Sequence, residues 1–229
     1  MRCMRAAIVA GTMMLAAAPA VAQAETPRDI LITAAFQTPD KARALALIGR
    51  AITASDAILS SRPDDREATL QRGIAIGYRA KLTRSRSDAK ASLAIFEKLA
   101  ARNPRDAEVQ MVIAGWHLDA IDQLGGFIAR TMLGARAQAG DAAMARAVSL
   151  GGDRAFYPAF AALMGIRQHP ANVAEARRHA EAAARAATPT PLDTLMQRSM
   201  AAILPMLRAN DGEGAAELAR KLLPFGRIG

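Results

Sequence analysis

The chain has 229 residues and a net charge of +9 at pH 7, with 30 basic and 21 acidic side chains. Hydrophobic residues make up 52% of it, but aromatic residues only 4%. Because Cys3 is the single cysteine, the chain can form no internal disulfide and no thiolate metal cluster. The length is sufficient to bury a hydrophobic core without such support.

Residues 1–24 have the three-part layout of a secretory signal peptide: a short positive start, an apolar run at Ala6–Ala18, and small residues before the expected cleavage after Ala24. The alternative is an uncleaved membrane anchor. The apolar run is shorter than the ~20 residues that a spanning helix needs, and Pro19 breaks it. We therefore expect a periplasmic or secreted protein of residues 25–229, with no transmembrane span after cleavage.

The basic charge comes mostly from arginine. In a protein outside the cytoplasm it favours anionic envelope partners, such as lipid head groups or acidic proteins. The alternative is that the arginines are spread over solvated helix faces, since the one local cluster is at Arg79–Arg86. Basic and aromatic residues do not interleave, so we predict no nucleic-acid partner.

The composition predicts an all-α protein. Alanine is abundant, together with leucine, arginine, glutamate and methionine, all of which favour helix. Isoleucine and valine never cluster in the alternating runs of a strand. Thr26-Pro27 is a typical helix start. The links are short, so we expect one domain over residues 25–229. Helices are expected at residues 30–36, 41–60, 66–83, 88–102, 107–124, 127–134, 141–150, 154–168, 172–187, 192–208 and 214–223. Residues 226–229 are expected to fray.

Several corners between these helices are alike. Arg62–Asp65, Asn103–Asp106 and Gly151–Arg154 each follow an apolar helix end and precede a new helical stripe, and Thr188-Pro189 is similar. The corners recur at intervals of 37 to 48 residues. Recurrence in this range indicates stacked helix pairs.

In these features the chain resembles the tetratricopeptide repeat family, whose helix–turn–helix unit is about 34 residues long. Gly73 and Ala114 match the small residue of the family's first helix, and Phe96, Ala100 and Pro104 match its second helix and final proline. Ala143, Met144 and Ala147 are placed comparably before Gly152.

The resemblance implies antiparallel helix pairs stacked as a right-handed superhelix that serves as a protein-binding adaptor or scaffold. No unit carries the full family pattern, and the intervals exceed the family's length. An excess of three or seven residues equals about one or two helical turns. The largest excess contains Gly125, Gly126, Gly134 and Gly140 and predicts an extra short helix and a loop. The alternative is a non-repeating helical bundle.

In such a superhelix the first helix of each unit lines the concave face. The predicted surface is an apolar groove that suits another envelope protein, or a hydrophobic ligand or lipid. The alternative is that these residues form ordinary core beneath the C-terminal helices. The predicted groove residues are Leu70, Ile74, Tyr78, Met111, Gly115, Leu118, Phe156, Ala159 and Leu163.

No catalytic pattern is evident in the sequence. His117, His169 and His179 lack partners at metal-binding or acid–base spacing, and no nucleophile elbow or phosphate-binding glycine loop occurs. We predict no enzyme, no metal and no cofactor. The expected function is a protein-binding adaptor, and the alternative is a periplasmic solute- or lipid-binding protein. A closed apolar cavity of a few hundred cubic ångströms would favour the alternative.

Overall fold

A computed structural model describes residues 25–228, and within this range every regular element is helical. The all-α prediction is confirmed, whereas the predicted signal peptide at residues 1–24 lies outside the described range. A π-helical turn, Thr33–Gln37, continues the first helix. The helices are α1 (Pro27–Ile32), α2 (Lys41–Ser61), α3 (Arg66–Thr83), α4 (Arg86–Arg102), α5 (Ala107–Leu124), α6 (Gly126–Leu133), α7 (Ala137–Leu150), α8 (Phe156–Gln168), α9 (Val173–Arg185), α10 (Pro191–Arg208) and α11 (Gly212–Leu222).

The corners seen in the sequence are helix caps. Asp65 accepts a hydrogen bond from the backbone N–H of Ala68 at the start of α3, and Asp106 accepts two at the start of α5. Thr26 caps α1 in a reciprocal box with Asp29. These side chains satisfy backbone donors that have no partner within the helix. The helix boundaries near them consequently match the sequence prediction closely.

Helix α8 begins differently, because its cap comes from a distant residue. Asp193 of α10 is fully buried and accepts a hydrogen bond from the backbone N–H of Phe156 at 3.0 Å. The same carboxylate accepts from the Arg154 guanidinium and from the Thr190 hydroxyl. Burial by itself raises the pKa of Asp193, but these donors outweigh it and lower that pKa. Asp193 thus holds the starts of α8 and α10 together.

The most extensive packing joins α3 with both α2 and α4, α5 with α7, and α8 with α9. Helix α10 packs mainly on α9, and α11 packs mainly on α8. Helix α6 is inserted in the chain between α5 and α7, as the long interval between corners predicts. It contacts α5 and α4 and leaves most of its own surface in solvent.

Two glycines let α3 approach α4 closely. A Cβ atom on Gly73 would lie 2.7 Å from a ring carbon of Phe96, and one on Gly77 would lie 2.7 Å from the Ser92 hydroxyl. Ser92 in turn donates a hydrogen bond to the carbonyl oxygen of Gly73 at 2.9 Å. Any larger residue would separate the two helices, because a packed core has no spare volume there.

Helix α7 starts four residues before its predicted start at residue 141. The glycine-containing stretch before it was expected to be part of a loop, but Gly140 is a buried helical residue. A Cβ atom at Gly140 would lie 2.8 Å from the Leu118 side chain. Glycine here permits close packing of α7 on α5, which the sequence pattern alone does not distinguish from a chain break.

The chain's last residues were expected to fray from residue 226 onwards, but the structure places residues 226–228 in an ordered turn against the N-terminal helices. Just before them, the backbone N–H of Phe225 donates to the carbonyl oxygen of Ala35 at 2.7 Å. Its ring meets that of Tyr78 edge to face, with centroids 4.9 Å apart. Ile228 packs on the same hydrophobic cluster. The last helix is thereby joined to the first.

Within residues 25–228, helix α2 has the length and composition of a membrane-crossing segment, which is weak evidence for such a role. In the structure one face of α2, with Ala44, Ile48 and Ala51, is buried against α1 and α3.

We predict that Gly73→Leu destabilises the fold by about 1–3 kcal/mol, because its side chain would overlap Phe96. Ala114→Leu, at a fully buried position of α5, should have a similar effect. The matched control is Gly49→Leu on the exposed face of α2, where a Cβ atom meets nothing within 4 Å. The free energy of unfolding of the Gly49→Leu variant should rise by about 0.5–1 kcal/mol, because leucine favours helix more than glycine does. Urea unfolding measures all three, and equal midpoints for Gly73→Leu and the parent would contradict the packing described.

Candidate functional site

A pocket of about 440 Å³ lies between helices α3, α5 and α8, and its wall is mostly apolar. Residues three or four apart share one face of a helix, so each of the three helices contributes a regular stripe. The stripes are Ile74, Tyr78 and Lys81 on α3, Glu108, Met111, Gly115 and Asp119 on α5, and Phe156, Phe160, Met164 and Arg167 on α8.

The structure separates the nine predicted groove residues into two groups. Five lie in the pocket wall, namely Ile74, Tyr78, Met111, Gly115 and Phe156. The other four lie in the hydrophobic core outside the pocket wall, namely Leu70, Leu118, Ala159 and Leu163. Helical periodicity identifies the inward side of each helix, but it does not tell core from pocket wall.

One side of the pocket is bordered by segments near the two ends of the described residues. Phe36, which follows α1, and Leu223 and Pro224, which follow α11, all belong to its wall. The contact of Phe225 with Tyr78 holds this side together. Another side is bordered by Met132 of helix α6.

Helix α6 exposes an apolar surface beside the pocket. Phe127 is 83% exposed, and Ile128 and Met132 are exposed to 47% and 42%. Leu133, the residue after Met132, lines the pocket. A soluble surface rarely presents adjacent large apolar side chains without a use for them.

One end of the pocket contains a compact group of charged residues. Asp119 is contacted by Lys81 Nζ at 2.7 Å and by Arg167 Nη1 at 2.8 Å. Burial by itself raises the pKa of Asp119, but the two cations outweigh it and hold that pKa below its usual value. Asp119 is therefore ionised at neutral pH, and its negative charge compensates one of the two positive charges.

Arg167 is the least satisfied member of this group. It is only 5% exposed, yet its Nε and Nη2 atoms have no hydrogen-bond partner among residues 25–228. Its remaining nitrogen, Nη1, also lies 3.5 Å from Asp122. A buried donor without a partner costs about 1–3 kcal/mol, and more when it is charged. The fold tolerates this cost at a residue of the pocket wall.

The opposite end of the pocket is also charged, but its groups are paired. Glu108 accepts hydrogen bonds from both Arg28 and Arg66. Arg28 also binds Glu67 through two nitrogens, and Arg66 binds Asp106 in the same way. Burial raises the pKa of Glu108 but the two arginines outweigh it, so that the pKa is lowered.

His117 has a structural position outside the pocket wall. It is buried, and its Nδ1 accepts a hydrogen bond from the backbone N–H of Arg136 at 3.3 Å, which joins α5 to the start of α7. Among the residues that the structure describes, no group of three or more histidine, cysteine, aspartate or glutamate side chains is placed to hold a metal ion.

The sequence prediction missed Lys81, Asp119 and Arg167. A signal for Arg167 exists, because it continues the stripe Phe156, Phe160 and Met164 on the inward face of α8. An arginine at that position interrupts an apolar face, which is a recognisable pattern. Lys81 and Asp119 likewise continue the inward stripes of α3 and α5. No pattern in the sequence indicates that the three charges meet.

Comparison of the chain with protein-family models, with curated proteins and with solved structures finds no match.

We predict that the folded protein loses stability as the pH falls from about 7.5 to about 5.5. Burial, followed by the charge of Arg136, lowers the pKa of His117, and burial and Arg178 do the same for His179 despite Glu175. The unfolded chain therefore takes up protons at a higher pH than the folded one. Stability is full above the unfolded pKa and declines below it.

Urea unfolding of the parent and of the His117→Gln/His179→Gln double variant at both pH values measures this effect. The double variant should lose most of the decline, because glutamine does not titrate. The carboxylates with lowered pKa, such as Asp106 and Asp119, titrate below this window. An equal decline in both proteins would assign the pH dependence to other groups.

Proposed function

We propose that this protein binds a small hydrophobic or amphipathic ligand in the pocket between α3, α5 and α8. The observation that carries the proposal is the pocket itself, a mostly apolar space of about 440 Å³ between packed helices. Ligand sites are typically clefts of about 300–1,000 Å³ with apolar walls and a few placed polar groups. The charged group at Lys81, Asp119 and Arg167 supplies such polar groups at one end.

We further propose that the helix pairs are degenerate repeat units of the tetratricopeptide type, stacked as a right-handed superhelix. The pairing of α3 with α4, α5 with α7, and α8 with α9 supports this. So does the contact of Gly73 with Phe96, which are two of the positions that carry the resemblance in that unit. In this arrangement α3, α5 and α8 are the first helices of their units, which are the helices that line the pocket.

The proposed place of action is the periplasm or the exterior of the cell. It rests on the signal-peptide pattern of residues 1–24. Binding proteins in that compartment have access to envelope lipids and to solutes that enter from outside. Both classes include molecules with an apolar body and one polar end, which would match the pocket.

Binding of N-phenyl-1-naphthylamine, a neutral dye that fluoresces in apolar surroundings, tests the proposal. The parent should bind it saturably, and Gly115→Leu should weaken binding by about tenfold or more, because leucine would occupy the pocket beside Phe160. Gly165→Leu is the matched control, since Gly165 is exposed on α8 and a Cβ atom there meets nothing within 4 Å.

Circular dichroism should show that both variants fold like the parent. Equal dye binding by Gly115→Leu and Gly165→Leu would place the dye outside the pocket and contradict the proposal. Native mass spectrometry of protein purified from its own host then identifies the natural ligand as a mass carried by the parent but not by Gly115→Leu.

A second candidate function, the protein-binding adaptor, is supported by the exposed apolar side chains of Phe127, Ile128 and Met132 on α6. A photo-crosslinking amino acid at Phe127 tests it in the host. An adaptor should give one defined adduct from that position and none from Thr53, an exposed control position on α2. Equal labelling from both positions would contradict a docking role for α6.

A further inference from the structure

We propose that Arg167 is the anion-binding residue of the pocket, so that the ligand is an amphipathic anion with a carboxylate or phosphate head and an apolar tail. This inference rests on the proposed function and goes further by naming the ligand's chemical class. It is carried by the unpaired edge of the Arg167 guanidinium, its surroundings in the pocket wall, and the charge of that wall.

The unpaired edge of the Arg167 guanidinium, formed by Nε and Nη2, is the edge that binds a carboxylate or phosphate through two hydrogen bonds. Nη1 is occupied by Asp119 at 2.8 Å and lies 3.5 Å from Asp122, whereas Nε and Nη2 have no partner among the residues described. The N–H groups on Nε and Nη2 point in parallel and match the two oxygens of a carboxylate or phosphate. The two aspartates therefore fix the guanidinium and leave its bidentate edge without a partner, enclosed within the wall of the pocket.

The missing hydrogen bonds of Arg167 are significant because the residue is buried. Folded proteins pair nearly all of their buried polar atoms, so an exception calls for a missing partner. Arg167 is 5% exposed and belongs to the pocket wall together with Lys81 and Asp119. A ligand anion in the pocket would supply the two acceptors that the rest of the described chain does not.

The charge of the wall favours an anion. Five basic residues but only two acidic ones line the pocket, which gives its wall a net charge of +3. Arg84 and Arg86 are two of the five; they are exposed and form no ion pair within residues 25–228. Unpaired cations beside a cleft attract anions and raise their local concentration.

The other end of the pocket does not compete for the head group. Arg28 there is held by Glu108 and Glu67. The tail instead finds an apolar path from Arg167 along Met164, Phe160 and Phe156. This stripe covers eleven residue steps of α8, about 16 Å along the helix axis. An alkyl chain lying along it would keep its head at Arg167.

Displacement of the neutral dye by four competitors tests the inference: dodecanoate, dodecyl phosphate, dodecanol and inorganic phosphate, each lipid below its critical micelle concentration. We expect the parent to bind the two amphipathic anions about 10- to 100-fold more tightly than dodecanol. Inorganic phosphate should compete far more weakly than dodecyl phosphate, because it lacks the tail.

Arg167→Gln should lower the affinity for the two anions much more than the affinity for dodecanol, and so remove most of the preference. Arg167→Lys keeps the positive charge but lacks the bidentate edge, so its preference should be intermediate. It also carries the test if Arg167→Gln does not fold. The matched control is Arg177→Gln on the exposed face of α9, which should behave like the parent.

Equal affinity of the parent for dodecanoate and dodecanol would overturn the inference, and so would an equal loss of both in Arg167→Gln, which is the result of a purely structural role. Inorganic phosphate that competes as well as dodecyl phosphate would also overturn it, since the site would then be one for a free anion. If the dye binds but no anion displaces it, this inference alone fails. If the dye itself does not bind, the proposed function fails.

Discussion

The pocket depends on one contact, the packing of the C-terminal tail against the first helices. Phe225 donates its backbone N–H to Ala35 and stacks its ring edge to face on Tyr78. A row of helix pairs joined only to their neighbours would leave an open groove. Because this tail returns to α1, the groove between α3, α5 and α8 gains another wall. The contact between α1, its π-helical turn and the segment after α11 thus contributes to the shape of the candidate site.

The two ends of the pocket differ in how completely their charged groups are paired. At the Glu108 end, arginines and carboxylates satisfy each other, so that the charges serve to hold α1, α3 and α5 together. At the Asp119 end, two cations share one carboxylate within hydrogen-bond distance, and two of the three Arg167 guanidinium nitrogens are unpaired among the residues described. A ligand with one anionic end would therefore bind in a single orientation. Beside the pocket, the exposed apolar helix α6 gives the same region a surface for a second contact.

Local patterns predicted the helices well. The bounds of α3 and α5 follow directly from Asp65 and Asp106, since a cap and an apolar stripe are both read from neighbouring residues. The prediction was wrong where contacts with residues distant in the sequence determine the local structure. In the sequence, Gly140 resembles a helix breaker. In the structure it is a helical residue, and its missing side chain leaves room for Leu118 of α5. In the sequence, residues 226–228 resemble a frayed end. In the structure Ile228 packs on the hydrophobic cluster of the N-terminal helices.

The sequence by itself determined that the described chain is helical, where most helices begin, that an extra short helix lies between α5 and α7, and which side of each helix turns inward. These properties depend on residues within a few turns of one another. Only the tertiary structure decided that Ile74 and Gly115 line a pocket while Leu70 and Leu163 fill the core, because periodicity gives the direction of a side chain and not what it meets. It also decided that Lys81, Asp119 and Arg167 come together, since three helices far apart in the chain must pack before their charges can interact.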